Sequence, residues 1–466
     1  MKFPASEILS GKSQTRKRSP KFLPILIFFI LIFTLYFPFF PKKLALPFII
    51  TYYDKPSGNT IILADEDKPR QPDSGVSSAS NPSPPPPTTA KADSTAKTPG
   101  KKSRKVPNSG DTGTTCDLFS GEWVPNPGGP YYTNTTCQTI QEHQNCMKFG
   151  RPDTGFMKWR WRPDDCELPI FDPHKFLELV KGKSLGFVGD SVARNHMQSL
   201  ICLLSRVVRP QDVSKPTDEN ILYQYTQYKF NISIISSPYL VRTRRSDPND
   251  ITRPYHLYLD EFDETWTAKI ATFDFLIISA GHWFFRPTYF YLNRSLVGCL
   301  YCSDPNITQM ASTFGYRWAF RTAFRAINRA REFKGVAFLR TFAPSHFEGG
   351  PWDKGGDCAR TAPFGRNGKE LEGYELDMYR TQMEELGVAQ TVGRRTGVRF
   401  RLFDATKPMV LRADGHPSKY GHWPGVNQTI PNDCVHWCLP GPIDSWNDML
   451  QELVRREVVN ISNPFI

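Results

Sequence analysis

A nucleophile, a base and a carboxylate that orients the base form the smallest set of side chains that moves an acyl group, so serines, histidines and acids at short spacing come first. Gly189-Asp190-Ser191 follows the apolar run SLGFVG and opens into a pattern in which Ala193, Met197, Leu200 and Leu204 recur at i, i+4, i+7 and i+11. A serine there sits at a helix N-terminus, where free backbone N–H groups stabilise a developing oxyanion. An ordinary N-cap, supplied by Asp190 or Ser191, fits the same tripeptide. His436 lies three residues after Asp433 in PNDCVHWC, and residues three apart share one face of a helical turn. Asp433 can hold one ring nitrogen of His436 while the other faces Ser191; a structural histidine in a cystine-rich loop is the competing reading. His346, His416 and His422 are rival bases, and of these only His416 has an acid, Asp414, at comparable spacing.

The elements that must position these residues are β-rich runs separated by helical stretches. SLGFVG (184–189), NISIIS (231–236), TFDFLIIS (272–279), GVAFLRTF (335–342) and GVRFRLFD (397–404) read as buried or half-buried strands. Phe320, Phe324 and Ile327 repeat at helical spacing. Five strands interleaved with helices predict an α/β fold with a mainly parallel, doubly wound sheet. Ligands in such sheets sit beyond the carboxyl ends of the strands, which adds Gly281-His282-Trp283 and Pro344-Ser345-His346 to the search. Arg317, Arg321, Arg325 and Arg329 recur every four residues and read either as a solvated helical face or as an attractor for an anionic donor.

The chain has 466 residues, 39% of them hydrophobic and 22% charged, enough for a sizeable core and against wholesale disorder. Its net charge of +12 suggests nucleic acid at first sight. Residues 1–115, however, carry 17 Lys+Arg against 8 Asp+Glu, a net of +9, which leaves +3 for residues 116–466. No nucleic-acid partner is expected from so balanced a region. Residues 1–21 are a basic start, and 22–40, FLPILIFFILIFTLYFPFF, are nineteen apolar residues. At a 1.5 Å rise they span about 28 Å, close to the ~30 Å hydrocarbon thickness. A single membrane anchor with a cytosolic N-terminus is expected; a cleaved signal peptide usually has a shorter apolar stretch. Residues 41–115, rich in proline, serine and lysine, read as a disordered stem. The remaining 116–466 read as a lumenal domain, with an N-terminal segment (116–183) and an α/β core (184–466).

All ten cysteines lie after residue 115, as do six N-x-S/T sequons at Asn134, Asn231, Asn293, Asn306, Asn427 and Asn460. Both features fit an oxidising secretory compartment. Zinc is the competing use for Cys299-x-x-Cys302 and for Cys434 and Cys438; no metal is expected.

The blocks GDSVARNHMQSLICLL (189–204), ISAGHWFF (278–285), LRTFAPSHFEGGPWDKGGDC (339–358), DGHPSKYG (414–421) and NDCVHWCLPGPIDSWNDML (432–450), with CDLFSGEWVPNPGGPYY (116–132), resemble the trichome birefringence-like family of plant polysaccharide O-acetyltransferases. The resemblance covers essentially all of 116–466. It implies a GDSL/SGNH-hydrolase-like fold with a smaller N-terminal lobe stapled by disulfides, Ser191 as the acetylated nucleophile, and His436 and Asp433 as its partners. It also implies the pairs Cys116–Cys166, Cys137–Cys202, Cys146–Cys438 and Cys358–Cys434; Cys299 and Cys302 remain and are expected to bridge each other.

The resemblance further implies a Golgi type II membrane enzyme that acetylates a hemicellulose, xyloglucan side chains first, with xylan or mannan as the alternative. A non-catalytic polysaccharide-binding protein and an acetylesterase are the readings from other classes. No cofactor is expected to stay bound; an acetyl donor, acetyl-CoA or an acetylated carrier, is required, and membrane proteins that supply acetyl groups are candidate partners. The Gly281-His282 block lacks the asparagine that SGNH esterases use for the oxyanion. The backbone of Ser191 is therefore the first donor candidate, with Arg194, Asn195 and Gly281 behind it. His282, Trp283, His346, Trp352 and Trp423 are substrate-binding candidates, for which core packing is the competing role.

Overall fold

The computed structural model describes residues 116–215, 220–250, 252–423 and 431–462. The expected anchor, the stem, the Asn427 sequon and the Asn460 side chain lie outside the described residues. Among the described residues no helix is long and apolar enough to cross a membrane.

The chain enters through an antiparallel pair, β1 (Gly121–Pro125) and β2 (Trp159–Pro163). Trp123 and Trp161 stand opposite each other, edge to face at 5.7 Å. Their indole N–H groups donate to the carbonyls of Pro408 and Leu118, so the aromatic pair is buried without orphaned donors. The main sheet is built on five parallel strands, β3 (Ser184–Gly189), β6 (Phe230–Ser236), β9 (Phe275–Ser279), β12 (Val336–Arg340) and β13 (Arg399–Phe403). Its order is β13-β12-β9-β3-β6, extended antiparallel by β5 (Ile221–Tyr225) and the short β4 (Gln211–Asp212). The five expected strands are present, with β9 starting later than 272. Residues Ile270–Thr272 form a single tight turn, and the Asp274 carboxylate takes the Ser184 N–H and hydroxyl, which fixes where pairing begins.

Alternation along the strands divides two cores. Leu185, Phe187, Phe275, Ile277, Val336 and Phe338 face one side, where they meet α1 (Pro173–Leu179), α2 (Ser191–Leu204) and α5 (Ser445–Ser462). Val188, Leu276, Ile278, Ala337 and Leu339 face the other, against α3 (Ser312–Arg329) and α4 (Gly373–Thr396). A second sheet of order β11-β10-β8-β7 joins this second core: β7 (Val241–Arg245), β8 (Tyr255–Phe262), β10 (Thr288–Leu292) and β11 (Ser295–Leu300). That sheet was not expected from the sequence. The arginines of α3 form a partly solvated face, with Arg321 and Arg329 exposed, that is also tied to neighbouring elements. Arg317 and Arg321 pair with Glu385 of α4, and Arg325 donates to the Asp260 carbonyl of β8.

Five disulfides are formed: Cys116–Cys166, Cys137–Cys202, Cys146–Cys438, Cys358–Cys434 and Cys299–Cys302. The first four are the pairs that the family resemblance implies and the fifth is the expected local bridge, so no cysteine is left for zinc among the described residues. Asn293 and Asn306 are exposed in loops, as a glycan requires. Asn231 stands apart: it is half-buried inside β6, between β3 and β5, with its side-chain oxygen shut off from solvent.

Candidate active site

At the carboxyl end of β3 the chain must pass under β9, and Gly189 makes this passage. A Cβ at that position would stand 1.9 Å from the Ser279 carbonyl oxygen, so every other residue is excluded. Asp190 then caps α2: its Oδ1 accepts the N–H groups of Val192 at 3.0 Å and Ala193 at 3.3 Å. That settles the ambiguity in the tripeptide. The cap is Asp190, and Ser191, the first residue of the helix, keeps its hydroxyl for other use. The hydroxyl donates to His436 Nε2 at 2.7 Å, and His436 Nδ1 donates to Asp433 Oδ2 at 2.8 Å. The second Asp433 oxygen accepts the N–H groups of Val435 and His436, so acid and base are locked in one turn.

Burial alone would keep the Asp433 carboxyl protonated, but the charge and hydrogen bonds of His436 outweigh it and hold the carboxyl below the ordinary carboxylate range. Burial likewise disfavours the His436 imidazolium, yet the Asp433 charge prevails and raises its pKa. Arg194, one turn into α2, is near enough for its charge to oppose that rise.

The strip that carries the base has no regular secondary structure, and the rest of the molecule grips it. Its two bridges are Cys146–Cys438 and Cys358–Cys434. Segment 414–418 runs beside it: Ser418 and Asp433 exchange main-chain bonds, and Cys438 N–H donates to Gly415. Arg151 clamps that segment from the N-terminal side by donating to the carbonyls of Asp414 and His416. Asn195 is a correction among the oxyanion candidates. Fully buried, its side chain brackets the main chain of Trp437 at 2.8 and 3.3 Å and holds the strip against α2.

His346 is a second correction. It is buried, with Nδ1 on His416 Nε2 at 2.8 Å and Nε2 on the Val410 carbonyl at 2.9 Å, so it offers nothing to a substrate. His416 reaches the His436 carbonyl at 2.7 Å, which removes both rings as rival bases. His422 lies half-buried with Nδ1 on the Trp423 carbonyl. His282 lies near enough to Asp190 and His436 to feel their charges: it donates from Nε2 to the Ala343 carbonyl, and burial lowers its pKa to about 4 against the opposing charge of Asp190. Gly281 opens the turn that carries His282, packed beneath the Phe342 ring. Trp283 is taken by packing, edge-on to Tyr239 and Tyr255 with the Arg286 guanidinium 3.9 Å above it. Trp352 is half-buried in the 339–358 block. Trp423 is 56% exposed and rests against Phe149, so it offers the most indole surface of the three tryptophans.

Two residues of the site escape sequence reading. His143 packs edge-on against the His436 ring at 4.9 Å, and burial lowers its pKa to about 4. The disulfide held the signal, since His143 is three residues before Cys146 and His436 is two before Cys438. Arg340, fully buried at the end of β12, lies near enough to Asp190 for the carboxylate to support its charge. His143, Asp433 and His436 form the one tight group of metal-type donors among the described residues. Both ring nitrogens of His436 are already engaged, so the group reads as a proton-handling site.

This arrangement, a hydroxyl at a helix N-terminus in line with an imidazole and a carboxylate, is the geometry that nucleophilic acyl chemistry requires. A family profile agrees. The profile of the GDSL/SGNH-like acyl-esterase family found in Pmr5 and Cas1p, PC-Esterase, matches residues 168–453, more than half of the chain. The chain belongs to the PC-Esterase family. A second profile, the PMR5 N-terminal domain, matches residues 114–167. The site of this PC-Esterase chain draws on both matched regions: Ser191, Asp433 and His436 from the first, His143 and Arg151 from the second. Protein trichome birefringence-like 19 of Arabidopsis thaliana is 55% identical over 350 residues, 73% of this chain and 81% of the relative. Xyloglucan O-acetyltransferase 2 of Arabidopsis thaliana is 43% identical, over 73% of this chain and 83% of the relative. Xyloglucan O-acetyltransferase 4 of Populus trichocarpa is 42% identical, over 73% and 81%.

Proposed function

We propose that the protein is a polysaccharide O-acetyltransferase whose acceptor is a hemicellulose, xyloglucan first. The observation that carries the reading is the hydrogen-bonded line Ser191–His436–Asp433 at the start of α2; the names of the two xyloglucan relatives supply the acceptor. His436 Nε2 takes the Ser191 proton as Oγ attacks the acetyl carbonyl of the donor, and that proton passes to the leaving group. The acetyl group then rests on Ser191 as an ester. A sugar hydroxyl attacks the ester while giving its proton to His436, which returns it to Ser191 Oγ as the acetylated sugar departs. Asp433 stabilises the imidazolium in both half-reactions. The N–H groups of Val192 and Ala193 are engaged by Asp190, and that of Arg194 by the Asp190 carbonyl, which leaves the Ser191 N–H to meet the oxyanion.

In our reading residues 22–40 anchor the chain and 116–466 work in the Golgi lumen. The five disulfides and the exposed Asn293 and Asn306 sequons support an oxidising compartment. The test incubates the full chain with an acetyl donor and xyloglucan oligosaccharides and follows acetyl mass additions. Acetylated sugar from the native chain and none from Ser191→Ala is expected. Release of acetate without sugar modification would convert the proposal into an acetylesterase, and equal transfer by both forms would end it.

A further inference from the structure

Two buried histidines behind the catalytic strip make a chain of hydrogen bonds whose protons can be counted. His346 Nε2 faces the Val410 carbonyl at 2.9 Å, His346 Nδ1 faces His416 Nε2 at 2.8 Å, and His416 Nδ1 faces the His436 carbonyl at 2.7 Å. Both ends of the chain are carbonyl oxygens, which only accept. Each outer nitrogen must therefore carry a hydrogen, and the central contact needs one more. Three protons on four ring nitrogens leave one positive charge. A neutral pair has only two, and one of the three short contacts would become lone pair against lone pair in a site closed to water. We propose that His346 and His416 form a singly protonated imidazole–imidazolium pair that fixes the His436 carbonyl and thereby positions the catalytic ring. Both are positioning residues.

The surroundings set two tendencies against each other. Burial first, with the mutual repulsion of the two rings and the charges of Lys369 and His282, lowers the pKa of His346 to about 4 and pushes His416 well below the ordinary histidine value, against the help of the Val410 and His436 carbonyls and of Asp433, Asp414 and Glu348; the hydrogen-bond count points the other way. Arg412, fully buried in a two-bonded ion pair with Asp414, blunts the help from that carboxylate. The three-bond geometry carries the proposal, because the shared proton is the one arrangement that satisfies both carbonyls and the central ring-to-ring contact at once. His416 is further clamped by stacking on Trp437 at 4.0 Å and by Arg151 on its carbonyl, so the rings are not able to turn away.

The pair also acts electrostatically. A fixed cation tied to the main chain of His436 makes its imidazolium less favourable and offsets part of the rise caused by Asp433. The inference rests on His436 being the general base, and its first test does not. Histidine ring nitrogens of the full chain, 15N-labelled, are followed by NMR across pH, with resonances assigned from single substitutions. A ring pattern with three protonated nitrogens for His346 and His416 persisting above pH 7, and lost in His346→Gln, is expected; two neutral tautomers at pH 7 overturn the proposal. Glutamine donates to His416 Nε2 without adding charge. The second test is the acid limb of kcat/KM, which reports the free-enzyme base. In His346→Gln it should move up by about one pH unit, since a neighbouring cation is gone, and an unmoved limb in a folded variant overturns the electrostatic role. His416→Ala should lower kcat on the order of 100-fold with little change in KM, the cost of a misplaced base. If native protein transfers no acetyl group while the NMR pattern holds, the function fails and the pair stands.

Discussion

The two halves of the proposed catalytic line are positioned by opposite means. Ser191 is placed by regular structure alone: β3 delivers it, Gly189 clears β9, Asp190 caps the helix, and apart from the neighbouring strand β9 every residue involved falls within 184–204. Asp433 and His436 sit on a strip without strand or helix, gripped by two disulfides, Asn195, Arg151 and the His346–His416 pair. The nucleophile is a local product of the sheet, whereas the base depends on contacts from four distant stretches of chain. Damage to distant parts of the fold should therefore reach the base and spare the serine.

The largest effect breaks the line itself. Ser191→Ala should lower kcat for acetyl transfer by about 10⁶-fold with the fold intact by circular dichroism, as loss of a triad nucleophile does elsewhere. Asp433→Asn should cost about 10⁴-fold, because the amide no longer stabilises the imidazolium or fixes its tautomer. Cys146→Ser with Cys438→Ser sharpens the contrast. Activity should fall on the order of 100-fold and the thermal midpoint should drop with a loss of about 2–5 kcal/mol, while Ser191 in the folded variant remains open to a serine-directed organophosphate probe at a reduced rate. Asn195→Ala loses the bracket on Trp437 and should lower kcat about tenfold, with KM nearly unchanged. The smallest effect is on pH. Asp433 raises the His436 pKa, and the base works only when neutral, so kcat/KM should fall as pH drops through a limb above the ordinary histidine value near 6.5. A limb below that value would show that Asp433 does not govern the base.

The local half of the site was legible for the same reason that it is local. SLGFVG and the Ala193–Leu204 repeat declare a buried strand and an amphipathic helix within twenty-one residues, and the serine stands at their junction. Asp433 and His436 were legible because acid and base share one turn. What holds them was not, since no spacing in the chain announces that Arg151 reaches the His416 carbonyl or that Asn195 turns inward to Trp437. Asn195 looked like an oxyanion donor by its place after the nucleophile; its full burial against Trp437 gives it another task. His346 resembled a ligand-facing residue at a strand end, yet its ring is drawn back to Val410 and His416. The second sheet was missed because β7, VRTRR, is four-fifths exposed and β8 carries Asp260 and Glu261 near its end, so neither shows the apolar run that marked the central strands.

The Cys146–Cys438 bridge joins positions 292 residues apart, and with it His143 meets His436. During synthesis the nucleophile elbow can form once residues near 280 have left the ribosome, but its base arrives more than 150 residues later. A nascent chain that stops before Asp433 thus carries Ser191 without the histidine proposed as its proton acceptor. Full activity of the proposed line needs the strip around Cys438 bridged to Cys146, so catalytic competence would record that synthesis has passed residue 438 and that this bridge has formed.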